Sequence, residues 1–98
     1  MRILFANKKL EKLYLEGIGA ERFPESVYVS FVDVIRLIIA IADERVLYKI
    51  PGLRPEKLRG KRKFDKSLRL NQQFRLIYRI EKDTDGNFFF VLDLEDYH

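Results

Sequence analysis

The sequence predicts an α+β domain, with two N-terminal helices packed on a small, curved, mainly antiparallel sheet of four or so strands. Three observations carry this. Leu10, Leu13 and Tyr14 recur at helical spacing within KKLEKLYLE. From Ser67 onward the apolar residues instead alternate with period two, as on a strand with one face buried. Between two such runs stands Asp83-Thr84-Asp85-Gly86-Asn87, whose Asp-Gly pair is a hairpin signal.

The elements follow in order. Met1 to Ala6 reads as a short edge strand. Asn7 suits an N-cap for a helix from Lys8 to Glu16, because its side chain can accept from an unpaired first-turn N–H. Gly17 and Gly19 end that helix. After the loop IGAERF, Pro24 is placed as the first residue of the next helix, where its missing N–H costs nothing. Val27 to Ala42 is rich in Val and Ile, but its length and lack of turn residues favour a helix. Its polar residues Ser30, Asp33 and Arg36 form one narrow stripe, and nearly every other position is apolar. Such a helix is either wrapped by the sheet or partly covered by a partner chain.

Asp43 to Ile50 is a short helix or turn, stopped by Pro51-Gly52. Leu53 to Leu58 is a candidate strand, and Arg59 to Lys63 (RGKRK) a polar turn. Ser67 to Gln72, Phe74 to Ile80 and Phe88 to Leu94 are the main strands. Phe74, Leu76, Tyr78 and Ile80 share one face of theirs, and Arg75, Ile77 and Arg79 the other. The chain holds no repeat and no low-complexity segment, and residues 1–98 make a single domain.

Composition excludes several classes. With no cysteine there is neither a disulfide framework nor a thiolate metal site. The most apolar stretch is too short to span a bilayer and carries Asp33 and Arg36. The first residues run apolar then basic, the reverse of a secretion signal, so a cytoplasmic protein with no membrane association is expected. The net charge of +4 is unevenly spread. Residues 54–82 hold eleven Lys/Arg and three Asp/Glu, net +8, whereas residues 83–98 hold five acids and no Lys or Arg. A basic middle segment suits a polyanion such as RNA, and equally a solvated lysine-rich surface.

Period-two alternation places Arg69, Arg75 and Arg79 on polar strand faces, and neighbouring strands would bring Arg69 and Arg75 to one face. Arginine grips phosphate with a planar fork. Phe64 and Phe74 flank the basic face as stacking candidates. The opposing reading is a ladder in which Arg75 and Arg79 pair with Asp93 and Glu95 on the returning strand. We assign Arg79 to the ladder and Arg75 to the ligand side. The last strand then delivers Asp96, Tyr97 and His98, the chain's single histidine, to the rim. Cleavage by a 2′-hydroxyl needs a base, a cation at the phosphate and an acid for the leaving oxygen, and these residues can supply all three. By chemistry alone, however, a lone C-terminal histidine is more often a loose end than a catalyst.

Two stretches resemble one family. They are PGLRPEKLRGKRKFDKSLRLNQQFR, from Pro51 to Arg75, and the ending LEDYH. They resemble HigB-type toxins of the RelE/ParE superfamily (plasmid maintenance killer proteins), the toxins of type II toxin–antitoxin modules. The matching positions are Pro51, Gly52, Arg54, Leu58, Arg59, Gly60, Arg62, Lys63, Ser67 and Arg75, then Asp96, Tyr97 and His98. The resemblance implies a RelE-like fold and a ribosome-dependent messenger RNA endoribonuclease that needs neither metal nor cofactor. It implies His98 and Tyr97 as acid/base candidates, oriented by Asp96, with Arg75 as the strand arginine. Arg59 takes the place of a lysine that contacts phosphate, with Lys61, Arg62, Lys63 and Arg69 as further RNA-binding candidates. The implied partners are a HigA-like helix-turn-helix antitoxin, the ribosome with its messenger RNA, and operator DNA through the antitoxin alone. A homodimer through the apolar helix is a further option. Where many members have His-Pro-Leu-Lys-Gly, this chain has Glu56-Lys57-Leu58-Arg59-Gly60, so Glu56 is either a substitute base or a catalytically empty position. Two alternatives remain open: a ParE-like gyrase inhibitor, and a degenerate toxin that acts mainly in antitoxin-bound repression.

Overall fold

The computed structural model describes residues 1–97. Its elements are β1 (Arg2–Phe5), α1 (Lys8–Glu16), α2 (Glu25–Ala40), β2 (Glu56–Lys57), β3 (Lys66–Arg69), β4 (Phe74–Asp83) and β5 (Gly86–Asp96). Short 3₁₀ turns at Ala20–Arg22, Glu44–Lys49 and Gly60–Arg62 link them. The five strands form one sheet in the order β1-β5-β4-β3-β2. All neighbours are antiparallel except β1, which runs parallel to β5. The expected four or so strands are therefore five, and the sheet is mixed.

Helix α1 has the caps its sequence announces. Asn7 Oδ1 accepts from the Leu10 N–H at 3.0 Å. Gly17 adopts φ 71° and its N–H returns to the Leu13 carbonyl at 3.2 Å, a left-handed close that a side chain disfavours. Helix α2 begins one residue after Pro24, whose carbonyl accepts from Val27 and Tyr28. Its far end meets the Met1 ammonium, which donates to the carbonyls of Ile38, Ile39 and Ile41, where the helix dipole is negative. The expected helix over Val27 to Ala42 is thus shifted two residues toward the N-terminus.

Val27, Phe31, Val34, Ile35 and Ile38 are buried along one face of α2, against Leu68, Leu76, Tyr78, Phe89, Val91 and Leu94 of the sheet. This is the central helix of the first reading, but not a wholly wrapped one: Val29 and Ile39 are exposed. β5 carries a bulge, since Ile77 faces Asp93 while Tyr78 faces Val91. The extra residue changes the parity of the strand, so that Val91 and Leu94 both reach the core.

Two expected strands are shorter than the sequence suggested. Leu53 to Leu58 contributes only Glu56–Lys57, because Pro55 has no N–H to give and Gly52 and Arg54 have positive φ. Ser67 to Gln72 ends at Arg69. Asn71 turns the chain instead, its side-chain oxygen accepting from the N–H groups of Gln73 and Phe74 at 2.8 and 2.7 Å.

One polar group sits deep in this core. Tyr78 is fully buried, stacks on Phe89 at 4.2 Å, and donates to Glu44 Oε2 at 3.0 Å. Lys66 holds the same carboxylate oxygen at 2.7 Å. Burial first, then the Glu44 charge and hydrogen bond, push the phenol's pKa above its ordinary 10.0. The folded phenol stays neutral where an unfolded one ionises. Its contribution is therefore complete below pH 10.0 and lost as the pH rises further, by ~1.4 kcal/mol per unit. Tyr78→Phe keeps the ring but loses the hydrogen bond, about 1–2 kcal/mol at neutral pH. The stability gap between the two proteins should shrink above pH 10.0 in urea melts. A gap independent of pH would show that Tyr78 ionises alike in both states.

Candidate functional site

The end of β5, the β3–β4 hairpin and the segment before β2 enclose an open cleft of about 330 Å³. Its charged lining consists of Arg54, Arg69, Arg75 and Glu56, and Tyr97 closes one side. Asn71 and Gln72 of the hairpin complete it. Three guanidinium groups against one carboxylate make the cleft a place for an anion.

Register explains why the arginines meet. Arg69 on β3 faces Arg75 on β4 directly. Ser67, two residues earlier, lies on the same face and is fully buried. Arg75 Nε donates to Ser67 Oγ at 2.7 Å, and Nη2 donates to the Arg54 carbonyl and to the Ser67 carbonyl. Arg75 is 9% exposed and has no carboxylate partner among the described residues. A buried cation without a counter-ion is costly unless something supplies the negative charge.

The cross-strand neighbour that could have done so is Glu95, which lies opposite Arg75 in the register. Arg62 takes it instead, fork to fork, at 3.1 and 2.6 Å. That hydrogen bond raises the Arg62 pKa above its ordinary value. The expected ladder is therefore corrected. Arg79 is ion-paired, but with the buried Asp65 at 2.8 Å and with Glu81 at 3.2 Å. The bulge places Arg79 opposite Phe90, out of register with Asp93.

Tyr97 reaches the cleft because its N–H donates to the Gln73 carbonyl at 2.6 Å, which extends the strand by one residue along the hairpin. Its ring lies 5.9 Å from the Arg75 guanidinium carbon and is 41% exposed. Asp96 accepts from Gln73 Nε2 at 2.9 Å and does not line the cleft. His98, the first acid/base candidate, lies outside the described residues.

The structure thus brings together Arg69, Arg75, Glu56 and Tyr97 from the sequence reading. It leaves Arg59, Lys61 and Lys63 exposed on the loop around the Gly60–Arg62 turn, outside the cleft lining. Arg62 pins that loop to β5. Of the two stacking candidates, Phe64 is 69% exposed with Lys63 over its ring. Phe74 is not on the basic face: it packs edge-on against Phe23 beside the core. Sequence reasoning assigned no role to Arg54, although it lies in the quoted motif, and it missed Ser67 as the anchor for Arg75.

No curated protein matches the chain by sequence. Several solved structures share its fold at low identity. A YoeB/ParE toxin from Agrobacterium tumefaciens is 17% identical, with both chains covered in full and a TM-score of 0.63. The YoeB-YefM complex from Staphylococcus aureus gives 19% identity and a TM-score of 0.58, covering 100% of this chain and 97% of that one. A conserved hypothetical protein from Helicobacter pylori gives 17%, with 98% and 93% covered and a TM-score of 0.58. The family described as RelE-like toxin of type II toxin-antitoxin system HigB matches residues 3–98. The chain therefore belongs to the HigB family of RelE-like toxins.

Proposed function

We propose that this toxin acts as a ribosome-dependent endoribonuclease, cutting messenger RNA by attack of a 2′-hydroxyl on the adjacent phosphate. The observation that carries the reading is Arg75, a buried guanidinium with no carboxylate partner among the described residues, facing an open cleft beside Tyr97. A phosphate supplies the missing charge, and the pentacoordinate transition state, which carries more of it, is held more tightly still. Arg69, across the strand pair, adds a second cation. Glu56 takes the 2′-hydroxyl proton. The new oxygen–phosphorus bond forms as the bond to the 5′-oxygen breaks. Tyr97 and His98 return a proton to that oxygen, leaving a 2′,3′-cyclic phosphate and a 5′-hydroxyl. Arg59, Lys61 and Lys63 draw the RNA backbone to the rim, and Asp96 holds the terminal strand in place through Gln73.

The partner is an antitoxin of HigA-like chemistry, in keeping with the family and with the solved complex of the related fold. Among the described residues no helix is long and apolar enough to cross a membrane. The test uses purified ribosomes programmed with an end-labelled messenger RNA. The toxin should cut the bound message and leave cyclic-phosphate ends. Uncut message, together with accumulating DNA breaks in cells expressing the toxin, would instead favour gyrase inhibition.

A further inference from the structure

We propose that Arg54 is a second phosphate-binding residue, holding the phosphate next to the one that is cut. The inference rests on the ribonuclease reading and adds to it. Among the described non-glycine residues Arg54 has the single positive φ, 44°. A side chain pays for that conformation in strain, and such strain persists where the surroundings fix it. The surroundings here are specific. Pro55 follows and Gly52, at φ 89°, precedes. The Arg54 carbonyl is held by Arg75 Nη2, and the neighbouring Leu53 carbonyl accepts from Arg69 N–H at 2.7 Å. The two arginines facing each other across β3 and β4 thus hold Arg54 and its neighbour in place.

The strained backbone sets a third guanidinium on the cleft wall. It is exposed and, among the described residues, makes no ion pair or side-chain hydrogen bond. Arg75 has spent Nε and Nη2 on Ser67 and on Arg54 itself, so it serves one phosphate with what remains. A second phosphate of a single strand needs its own fork. Arg69 Nε already donates to the Asn71 carbonyl at 3.2 Å, whereas the Arg54 guanidinium has no side-chain bond among the described residues. The substrate class is therefore a single-stranded RNA engaged at two successive phosphates.

The test separates the side chain from the carbonyl. Arg54→Gly keeps the carbonyl that Arg75 holds and relieves the strain, so its melting temperature should be unchanged or higher. On programmed ribosomes it should raise KM about tenfold and leave kcat within about threefold, as loss of a flanking contact does. Binding to ribosomes carrying a 2′-O-methyl message, followed over a salt series, should lose about 0.7 of its log–log slope, the share of one phosphate on a single strand. Arg54→Lys, which keeps the charge, should recover part of both and covers the case in which the glycine protein folds poorly. Unchanged KM and slope in a folded Arg54→Gly protein would overturn the assignment, and so would a collapse of kcat alone. If the wild type itself neither binds nor cuts the message, the ribonuclease reading falls as well.

Discussion

Arg75→Lys is expected to fold, to unfold at lower urea, and to cut message on programmed ribosomes about 10²–10³-fold more slowly than the wild type. The substitution keeps the charge, so any loss comes from geometry. Arginine reaches Ser67 Oγ with Nε and the Arg54 carbonyl with Nη2 from one rigid plane. An ammonium on a flexible stem cannot make both contacts and still present a donor to the cleft. One of the buried partners is then left unpaired, which costs about 1–3 kcal/mol of stability. The Arg54 loop, losing its anchor, also leaves its strained conformation. Single-turnover rates and urea midpoints measure the two effects separately. A lower midpoint with an unchanged rate would make Arg75 a purely structural residue, and the ribonuclease proposal would lose the observation that carries it.

The sequence disclosed what is decided locally. The Asn7 cap, the Gly17 stop and the Asp-Gly hairpin each depend on chemistry within a few residues, and each stands where the sequence puts it. The parity of β4 was equally legible, and it put Arg75 on the face opposite Leu76 and Tyr78. The same parity already argued against a place for Phe74 on the basic face. What depends on a distant partner was not legible. The bulge in β5 is defined only against β4, and it moved Arg79 away from Asp93. The parallel pairing of β1 with β5 joins residues more than eighty positions apart. Glu95 was a reasonable mate for Arg75 by register, but Arg62, arriving from a loop, takes it. Arg54 was hidden for another reason: its importance lies in a backbone angle, and residue type alone does not specify that.

Tyr97→Phe is the second large effect, and it tells a proton donor from a stacking surface. The ring lies 5.9 Å from the Arg75 guanidinium carbon, and Phe preserves that contact while deleting the hydroxyl. An exposed cation–π contact is worth about 0.5–1 kcal/mol, roughly two- to fivefold in rate. Loss of a proton-transfer group costs far more, about 10²–10⁴-fold. The phenol should therefore dominate: Tyr97→Phe is expected to lose at least ~100-fold, and Tyr97→Ala only a few-fold beyond that. Neither should move the urea midpoint much, because the side chain is 41% exposed and the anchoring contact to Gln73 comes from the backbone. A Phe protein that cuts at the wild-type rate beside an inactive Ala protein would reassign Tyr97 to stacking against a base. Proton transfer to the 5′-oxygen would then fall to His98 alone, and His98→Ala, with Tyr97 intact, should show the larger loss.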